Sequence, residues 1–353
     1  MTAQSPSTAL RMGFFEAEPH PVHRAFREAV EAEPICGWGM AWARGRSGLL
    51  SHLYTRGAAP LVRSQEARRF RGRFDVLITP SYGLRLAAWL KRYDPSMRLL
   101  YFNYCPFLDW VLKAPPMRQA YHRRALAAVD GVISGSALNA ERASGLLGVP
   151  QRICHPFGGE RTAELRPPDD ARTVLVVGEL HPVKRVHRAL ETFAALRRAL
   201  GPSWRLVVVG DGTERAALER QAASMEGVTF TGFIPFDRLL SLYAEAFALL
   251  QLSAFDNFPV TVIEAAAAGV LPLVSDTVGS TETLPPVLVV KHGDPGEAAE
   301  RLVALAKMPA TQRKALRGQC RQAAAPFTRE RQTARFRHAV YELLDAMDRS
   351  VPR

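Results

Sequence analysis

The sequence predicts an α/β protein with two Rossmann-like domains, each built on a parallel β-sheet covered by helices on both faces. Two observations support this prediction. At 353 residues the chain exceeds one ordinary core and suits two domains of roughly 150 residues each. Short β-branched and aliphatic runs also alternate with amphipathic helical patterns, as they do in stacked βαβ units.

The C-terminal half shows this alternation most clearly. Residues 173–177 (TVLVV) form a continuous β-branched run, as expected of a strand buried on both faces. Strands and helices then follow one another in unbroken order. The predicted strands are 173–177, 204–209, 228–231, 248–252 and 271–275, and the predicted helices are 186–200, 213–225, 236–246, 260–268 and 328–347.

The N-terminal half carries the same alternation more faintly. Its predicted strands are 10–15, 76–79, 99–103 and 129–134, and its predicted helices are 21–33, 83–93 and 117–128. Residues 37–73 are basic and rich in small side chains, and we assign no element there. Residues 161–172 (RTAELRPPDDAR) contain two prolines and no apolar run, which is typical of a linker. We therefore divide the chain into domains 1–165 and 166–327, followed by a terminal segment 328–353.

The charge balance is strongly basic. A formal net charge of +12 arises from 46 Lys and Arg against 34 Asp and Glu. Such a surplus favours anionic partners, although a general preference for arginine would produce it as well. Basic residues of the N-terminal half are candidates for contact with anionic lipid, with a solvated charged face as the alternative. They are Arg63, Arg68, Arg69, Arg71, Arg73, Arg118, His122, Arg123 and Arg124.

The compartment signals favour a cytoplasmic chain. The four cysteines form no CxxC pair, so we expect neither a disulfide framework nor a structural zinc site. The first residues lack the basic and apolar regions of a signal peptide. No run approaches the ~20 apolar residues that span a bilayer. We expect a cytoplasmic protein that at most touches the membrane face.

Polar and glycine-containing segments follow the first three strands of the C-terminal half, where open parallel sheets bind ligands. Lys184, at a helix start after Gly178, is placed to reach a diphosphate, or is an ordinary surface lysine. Gly210 and Gly212 bracket a turn that admits a ligand or only reverses the chain. The extended segment Phe233-Ile234-Pro235 would meet a nucleobase or form a buried loop.

The segment after the fourth strand is the most informative. It contains Asp256, then Pro259 at a helix start, and then Glu264 on the helix itself. Proline suits the first helical turn because its missing N–H would have no partner there. The free amides of residues 260–262 then form an anion site for a phosphate. On so apolar a helix Glu264 needs a partner, either the two hydroxyls of a ribose or one of the many arginines.

Taken in order, these segments resemble the C-terminal domain of retaining glycosyltransferase family 4, within glycosyl transferases group 1. The resemblance covers residues 173–284 in register. Its motifs are the strand and glycine leading to Lys184, VVVGDG, VTFTGFIP, DNFPVTVIEAAAAGVLPLVS and Gly279–Glu282. It implies the GT-B fold, in which two Rossmann-like domains face each other across a cleft. The helix from residue 328 is similar to the family's terminal helix, which crosses back to the N-terminal domain.

The resemblance further implies retaining, metal-independent transfer of a hexose from a nucleoside-diphosphate sugar to an acceptor hydroxyl, in glycan, polysaccharide or glycolipid synthesis. It implies no cofactor beyond that donor. Carried over by motif, Lys184 neutralises the diphosphate, Asp256 binds the donor sugar and Glu264 holds the ribose. The other residues implied at the donor site are Gly178, Arg185, Gly210, Gly212, Phe233, Ile234, Pro235, Asn257, Phe258, Val260 and Thr261.

Several positions depart from the family pattern. The family usually has Arg directly after the glycine where this chain has Glu179, so Arg185 or Arg188 would have to supply the second cation. Asp256 is one methylene shorter than the usual Glu. The N-terminal domain also lacks a Gly-Gly loop after its first strand, where 16–21 (EAEPHP) stands instead.

The family's N-terminal domain often places a His near the donor sugar. Asn103 occupies the corresponding strand end, and we include it with Lys184 and Asp256 among the catalytic candidates. An amide can hydrogen-bond a hydroxyl but cannot take a proton. His20, His23 and Tyr104 are candidates on the acceptor side, with half-exposed surface histidines as the alternative.

Two other function classes stay open. A GT-B sugar-nucleotide epimerase would need an acid/base pair in the N-terminal domain. A non-catalytic nucleotide-sugar-binding protein would fit the departures at Glu179 and Asn103. Nucleic-acid binding ranks last, because the chain has no motif that interleaves aromatic and basic residues.

Overall fold

The computed structural model describes residues 10–16, 21–35 and 70–349. The chain divides into two compact units. Unit 1 takes in the chain up to Gly135, then Asn139–Cys154 and the residues from Thr333 onward. Unit 2 takes in Ser136–Leu138 and His155–Gln332.

Unit 1 contains a parallel sheet with the strand order β2-β1-β3-β4-β5-β6 among the described residues. Its strands are β1 (Met12–Phe15), β2 (Glu33–Ile35), β3 (Val76–Thr79), β4 (Arg98–Asn103), β5 (Gly131–Ser134) and β6 (Gln151–Ile153). Its helices are α1 (Pro21–Ala29), α2 (Leu84–Tyr93), α3 (Phe107–Lys113), α4 (Pro116–Leu126) and most of α5 (Ala137–Ser144).

Both faces of this sheet are buried. Phe15 of β1 and Tyr101 of β4 belong to the cluster beneath α2, α3 and α4. Their neighbours Phe14 and Phe102 point to the opposite face, because successive side chains of a strand alternate. There the rings of Phe14 and Phe102 lie 5.5 Å apart in an edge-to-face contact. The double burial explains why these strands read as apolar runs in the sequence.

Unit 2 contains a second parallel sheet, ordered β12-β11-β10-β7-β8-β9. Its strands are β7 (Thr173–Val177), β8 (Arg205–Val209), β9 (Val228–Gly232), β10 (Ala246–Gln251), β11 (Leu271–Ser275) and β12 (Val289–Val290). Its helices are α6 (Val186–Leu200), α7 (Arg215–Ala222), α8 (Phe236–Glu245), α9 (Val260–Ala268), α10 (Pro295–Lys307) and α11 (Ala310–Ala324). Counted within the unit, the order is that of a dinucleotide-binding sheet, whose direction of winding reverses between β7 and β10.

Helix α12 (Arg329–Arg349) follows, close to the predicted 328–347. Its predicted apolar side is buried, including Phe336, Val340, Leu343 and Met347. The ring of Phe336 stacks on that of Phe26 of α1 at 4.5 Å between centroids, within unit 1. Among helices in the described part of the chain, none is both long and apolar enough to cross a bilayer.

Most predicted elements are confirmed, and the missed strands have a common cause. Sequence analysis missed β2, β6 and β12, which have three residues or fewer and so too little length to show a pattern. It also missed helices α3, α5, α10 and α11. Helix 21–33 was predicted too long, since Glu31 adopts a left-handed φ of 54° and β2 then begins.

The segment 161–172 is part of unit 2 rather than a linker between units, and the predicted boundary at 165–166 therefore falls inside that unit. Its prolines cannot donate hydrogen bonds, but their carbonyl oxygens accept them. The buried Arg317 of α11 donates to the carbonyl oxygen of Pro167 at 2.8 Å. Thr162, also buried, donates through its hydroxyl to a backbone carbonyl oxygen of α9 at 2.8 Å. These contacts fasten a sequence that looks like a linker onto unit 2.

Candidate functional site

The carboxyl ends of β7 and β10 form the point in unit 2 where the strand order reverses. Open α/β sheets bind ligands at such a point, because the loops diverge there and leave backbone groups exposed. The loop after β7 runs from Gly178 to Arg185, and the loop after β10 runs from Leu252 to Pro259. The amide of Ala254 donates to the carbonyl oxygen of Val183 at 2.8 Å and joins the two loops. Adjacent strands therefore present their loops as one surface.

Lys184 and Asp256 form an ion pair on this surface. Lys184 ends a short 3-10 turn before α6, and Asp256 precedes α9. Their side chains are 26% and 15% exposed, so the pair is partly desolvated. Gln251, the last residue of β10, donates from its Nε2 to the same Asp256 Oδ2 at 3.1 Å. The structure thus gives Lys184 a specific partner, unlike an ordinary surface lysine.

The backbone around Asp256 is held by the loop after β11. The amide of Gly279 donates to the carbonyl oxygen of Asp256 at 3.0 Å. A Cβ at Gly279 would lie 1.8 Å from the carbonyl oxygen of Asn257, so only glycine fits there. Asn257 is buried, and its Oδ1 accepts from the hydroxyl of Ser136 at 3.3 Å. Its side chain, predicted at the donor site, anchors the loop.

Phe258 is also buried rather than presented to a ligand. Its ring lies 4.8 Å from that of His155 and 5.1 Å from that of Phe327. His155 in turn contacts Glu282 through its Nε2. The amide of Ala137 donates to the other carboxylate oxygen of Glu282 at 2.8 Å. This cluster supports the segment that leads into α9.

Helix α9 begins at Val260, as predicted, directly after Pro259. Pro259 is the N-cap, with φ −65° and ψ 120°, and no side chain caps the helix. The amide of Val262 donates to the carbonyl oxygen of Pro259 at 3.1 Å. The free amides at this helix start are therefore those of Val260 and Thr261, two rather than the three expected.

Glu264 lies one turn into α9 and accepts a hydrogen bond from the buried Tyr243 of α8. The hydroxyl of Tyr243 is 3.0 Å from Glu264 Oε2 and 3.3 Å from the carbonyl oxygen of Thr261. Burial raises the pKa of Glu264, and the Tyr243 hydrogen bond partly opposes that rise. Among the described residues no arginine or lysine pairs with Glu264, so the expected salt bridge is wrong. Nor does any described residue donate to its Oε1.

Backbone hydrogen bonds join the loops after β7, β8 and β9. The amide of Gly178 donates to the carbonyl oxygen of Val209 at 3.0 Å, and that of Gly210 to Gly232 at 2.9 Å. Gly210 has φ +127°, and a Cβ there would lie 1.9 Å from the carbonyl oxygen of Gly178. The amide of Gly212 donates to Oδ1 of Asp211 at 2.8 Å. Contact between loops therefore accounts for Gly210 without a ligand.

The segment after β9 is exposed at Phe233 and Pro235. The side chain of Phe233 is 86% exposed, whereas Ile234 packs against the core of unit 2. Pro235 is exposed and is the N-cap of α8. The segment is therefore a surface loop that presents an aromatic ring, and the expectation of a fully buried loop is wrong.

Arg185 and Arg188 point their guanidinium groups at the end of β12. Arg185 donates to the carbonyl oxygen of His292 at 3.4 Å, and Arg188 donates to the same oxygen at 2.7 Å. Burial, reinforced by Arg188, lowers the pKa of Arg185. Glu179 is exposed beside them. Both arginines are thus engaged elsewhere in this structure, and neither stands ready as the second cation.

The remaining predicted site residues belong to unit 1. Asn103 is buried at the end of β4, where its Nδ2 donates to Ser134 Oγ at 3.2 Å and to the carbonyl oxygen of Asn139 at 3.3 Å. Tyr104 donates to the carbonyl oxygen of Cys154 and stacks on Phe102 at 3.9 Å. Burial raises the pKa of Tyr104 well above its usual range.

The two histidine candidates have different standings. His23 lies on α1 with its ring 5.2 Å from that of Phe102, in an edge-to-face contact. It therefore packs against the aromatic side of the unit 1 core. His20 falls outside the described residues. The assignment of Asn103, Tyr104 and both histidines to a reaction stays a prediction.

Comparison with known proteins identifies the part of the chain that carries this surface. Residues 160–324 match the family model described as glycosyl transferases group 1. The family match thus covers most of unit 2, and this matched part is called the group 1 domain. The predicted resemblance to this group is thereby confirmed, with every residue of the β7–β10 surface from Gly178 onward inside the match.

Curated relatives of the group 1 domain share about a third of its residues. The chain is 34% identical to a glycogen synthase of Mycobacterium tuberculosis over 120 residues, which are 33% of this chain and 28% of that protein. It is 34% identical to a GDP-mannose-dependent phosphatidylinositol dimannoside mannosyltransferase of M. tuberculosis over 143 residues, 39% of this chain and 36% of that protein. The chain thus matches only about a third of each relative's length.

A solved structure extends the likeness to the whole fold. The Anabaena protein HepE, crystallised with UDP and glucose, superimposes with a TM-score of 0.71 at 15% identity, covering 96% of this chain and all of that one. The GT-B fold predicted from sequence is therefore confirmed. At this level of identity the likeness concerns the fold alone.

Sequence analysis overlooked two residues that shape the group 1 domain's site. Gln251 is the last residue of the otherwise apolar strand β10 (AFALLQ). A polar residue at a strand end could have indicated a role in the site, but the neighbouring motifs drew the prediction elsewhere. Tyr243 had no such signal, since a tyrosine within an amphipathic helix is ordinary. In the described part of the chain no group of three or more His, Cys, Asp or Glu side chains is placed to hold a metal ion.

Proposed function

We propose that the protein is a retaining, metal-independent hexosyltransferase of family 4, which moves a sugar from a nucleoside-diphosphate sugar to an acceptor hydroxyl. The observation that carries the proposal is the arrangement at β7 and β10. A partly exposed Lys184–Asp256 pair lies there with two free amides at the start of α9 and with Glu264 one turn further along. These are the groups that a diphosphate, a sugar and a ribose require, within a group 1 domain.

The ion pair can be replaced by the donor. A diphosphate carries more negative charge than the carboxylate of Asp256 and offers more oxygens, so it competes for the Lys184 ammonium. Asp256 keeps the hydrogen bond from Gln251, 3.1 Å long, when Lys184 turns to the phosphate. Its carboxylate is then held in place to accept hydrogen bonds from sugar hydroxyls.

Glu264 supports recognition of the ribose. Tyr243 occupies Oε2, and no described residue donates to Oε1. A ribose hydroxyl that donates to Oε1 would offset the cost of keeping a charged carboxylate in a buried place. The exposed ring of Phe233 is the group on which we expect the base to rest.

The transfer itself needs charge stabilisation at the leaving group. The C1–phosphate oxygen bond breaks, the acceptor oxygen bonds to C1 on the same face, and the acceptor's proton passes to the departing phosphate. Lys184 and the amides of Val260 and Thr261 stabilise the charge that develops on that phosphate. Turnover should therefore persist in EDTA, and the anomeric configuration should be the same in donor and product.

For the acceptor we propose a glycan or lipid-linked sugar bound through unit 1, at the cytoplasmic membrane face. Two relatives support this class by name, one a glycogen synthase and one a phosphatidylinositol dimannoside mannosyltransferase. The arginine-rich composition, with a net charge of +12, suits an anionic acceptor or surface.

A panel of UDP, GDP, ADP and their sugar conjugates tests the donor site by thermal shift. A nucleotide at ~100 times its dissociation constant stabilises by about 2.7 kcal/mol, which raises Tm by several degrees. We expect one base to do so in the wild type and in Glu300→Ala, an exposed control on α10. The gain should disappear in Glu264→Ala. No shift with any nucleotide would refute the proposed donor site.

A non-catalytic nucleotide-sugar-binding protein is the second candidate. Glu179 is exposed where the family has a cation, and Arg185 and Arg188 bind carbonyl oxygens. Of Lys184, Arg185 and Arg188, therefore, Lys184 remains to bind the diphosphate. Such a protein would show the same thermal shift with neither transfer nor hydrolysis. Product formation with any acceptor would exclude it.

A further inference from the structure

Unit 1 carries a group of exposed large apolar side chains on α3 and α4. Met117 is 88% exposed and Trp110 is 60% exposed. Leu112 and Tyr121 are also exposed, at 43% and 45%. Single exposed apolar residues are ordinary on protein surfaces, but four of them within residues 110–121 form a patch that needs an explanation.

The two helices hold this patch in a defined geometry. Gln119 of α4 donates from its Nε2 to the carbonyl oxygens of Leu112 and Ala114, at 3.0 and 2.9 Å, and so fixes the junction between the helices. Arg85 of α2 donates to the Tyr121 hydroxyl at 2.6 Å, with its guanidinium 4.3 Å from the ring centre. The opposite sides of the helices pack into the core of unit 1. The exposed apolar side chains therefore belong to a packed helix pair.

The same surface is basic. Arg118, Arg123 and Arg124 of α4 are exposed and make no ion pair or hydrogen bond through their side chains with the described residues. Helix α4 contains no acidic residue. The one carboxylate of α3, Asp109, is largely covered and paired with Lys113 at 2.8 Å. Burial, with Arg85 and Arg118 nearby, lowers the pKa of His122, in keeping with this concentration of positive charge.

We propose that this surface docks the protein on an anionic lipid bilayer. The α3–α4 face consists of Trp110, Leu112, Met117, Tyr121, Arg118, Arg123 and Arg124. Indole and phenol rings settle at the level of the headgroups, Met and Leu side chains enter the acyl boundary, and arginines bind lipid phosphates. A soluble polyanion would use the arginines but leave the apolar side chains in water. The combination therefore favours a bilayer.

This surface differs from the basic stretch identified in the sequence. Arg63, Arg68 and Arg69 fall outside the described residues. Arg73 is paired with Glu33 and lies 5.6 Å over the ring of Phe74. The later basic residues, on α4, are the ones that the structure combines with exposed apolar groups. Docking on lipid would place the acceptor-binding unit at a membrane surface. Only this link to the acceptor rests on the proposed function.

Vesicle sedimentation of the full chain, without nucleotide sugar, tests the charge component. We would use phosphatidylcholine vesicles with about 30% phosphatidylglycerol at about 50 mM salt, where electrostatic attraction is little screened. Each basic residue near such a surface contributes about fivefold to partitioning, so replacing Arg118, Arg123 and Arg124 by Gln should lower it by about 100-fold.

The matched control replaces three exposed arginines of unit 2, Arg198, Arg205 and Arg220, by Gln. It changes the net charge equally and should change partitioning by less than about threefold, since these residues belong to unit 2 and are not part of the α3–α4 face. Equal losses in both triple variants would overturn the proposal, because binding would then follow net charge. Failure of the wild type to bind the anionic vesicles would overturn it as well.

Tryptophan fluorescence tests insertion. Transfer of Trp110 from water to the lipid interface should shift the emission to the blue when anionic vesicles are added, and Trp110→Phe should lose that shift. Soluble dextran sulfate should leave the emission unchanged. A shift that survives in Trp110→Phe, or one that dextran sulfate also produces, would refute docking through this face.

The proposed function and the docking surface fail separately. Glu264→Ala should bind vesicles as the wild type does, because Glu264 is a residue of unit 2. The Arg118/Arg123/Arg124→Gln variant should keep the nucleotide-induced rise in Tm, which also shows that it folds. Loss of that rise together with vesicle binding would contradict the separate roles assigned to the two surfaces.

Discussion

The two sheets carry similar polar residues at their carboxyl ends, but in different states. At the end of β4 in unit 1, Asn103 is buried, and both hydrogens of its amide are used within the unit. At the ends of β7 and β10 in unit 2, Lys184 and Asp256 stay partly exposed and bind each other. One edge is closed by hydrogen bonds, and the other is held by a replaceable ion pair.

The difference shows that a polar residue at a strand end is not enough to make a site. The amide of Asn103 bridges β5 and α5, so a ligand could engage it only by breaking bonds that hold the unit together. Lys184 can exchange Asp256 for a phosphate, and Asp256 then keeps the hydrogen bond from Gln251. Binding capacity follows from which partners can be replaced. The four predictions below test this comparison, from the largest expected effect to the smallest.

Replacing Lys184 by Ala should lower turnover by ~10²–10³, because it removes the cation at the leaving phosphate. The rest of the fold should survive, since Gln251 still binds Asp256. Initial rates and Tm, with the exposed Lys314→Ala as control, measure both effects. Near-normal turnover would remove Lys184 from the catalytic role and weaken the contrast between the two sheets.

Gln251→Met should lower kcat by about 10–100-fold, because a hydrogen bond to a charged group contributes about 1.5–3 kcal/mol and this one orients Asp256. KM for the donor should change less. Ser253→Ala removes the other hydrogen bond partner of the Gln251 amide, 3.0 Å away, and is the control with a smaller expected effect. A loss of Tm with kcat unchanged would mean that Gln251 serves only the fold.

Asn103→Ala should act on stability rather than chemistry. Losing the buried hydrogen bonds of its amide should reduce the free energy of unfolding by about 1–3 kcal/mol, measured by urea denaturation. The nucleotide-induced rise in Tm should be retained. If the variant is as stable as the wild type but transfers no sugar, Asn103 has the catalytic role first predicted for it, and the contrast between the units fails.

Glu264→Gln should raise the stability of the ligand-free protein near neutral pH. Burial raises the pKa of Glu264 in the folded state, so its contribution is most favourable below the unfolded value of 4.5 and is lost as pH rises through the folded value. Gln stays neutral and avoids that loss. Thermal unfolding from about pH 4 to about pH 8 should show the Tm of Glu264→Gln exceeding that of the wild type by a margin that grows with pH. Parallel curves would contradict the raised pKa.

Much of unit 2 could be predicted because its strands are buried on both faces. The runs TVLVV and VTVIEAAAA predict a strand and a helix from local sequence alone, and β7 and α9 have the predicted bounds. The motifs then place Lys184, Asp256 and Glu264 after the right strands. Unit 1 was harder, because β2 and β6 are three residues long and depend on neighbouring strands for their existence.

The segment 161–172 failed for the opposite reason. Its prolines and charges suit a linker locally, yet the carbonyl oxygens of Pro167 and Pro168 bind Arg317, which lies far along the chain. Similarly, Glu264 was expected to bind an arginine or a ribose, and its partner in the structure is Tyr243 of another helix. Such contacts depend on packing and leave no local pattern.

The sequence by itself determined the alternation of strands and helices, the resemblance of unit 2 to glycosyl transferases group 1, and the strand ends at which the polar residues lie. These depend on periodicity and residue order, which the chain carries locally. Only the tertiary structure decided which of those residues are open to a ligand. In that structure Asn103 is buried, Lys184 pairs with Asp256 and Arg188 points toward β12. Exposed apolar and basic side chains lie together on α3 and α4. Each of these outcomes depends on partners distant in sequence, brought together when the sheets and helices pack.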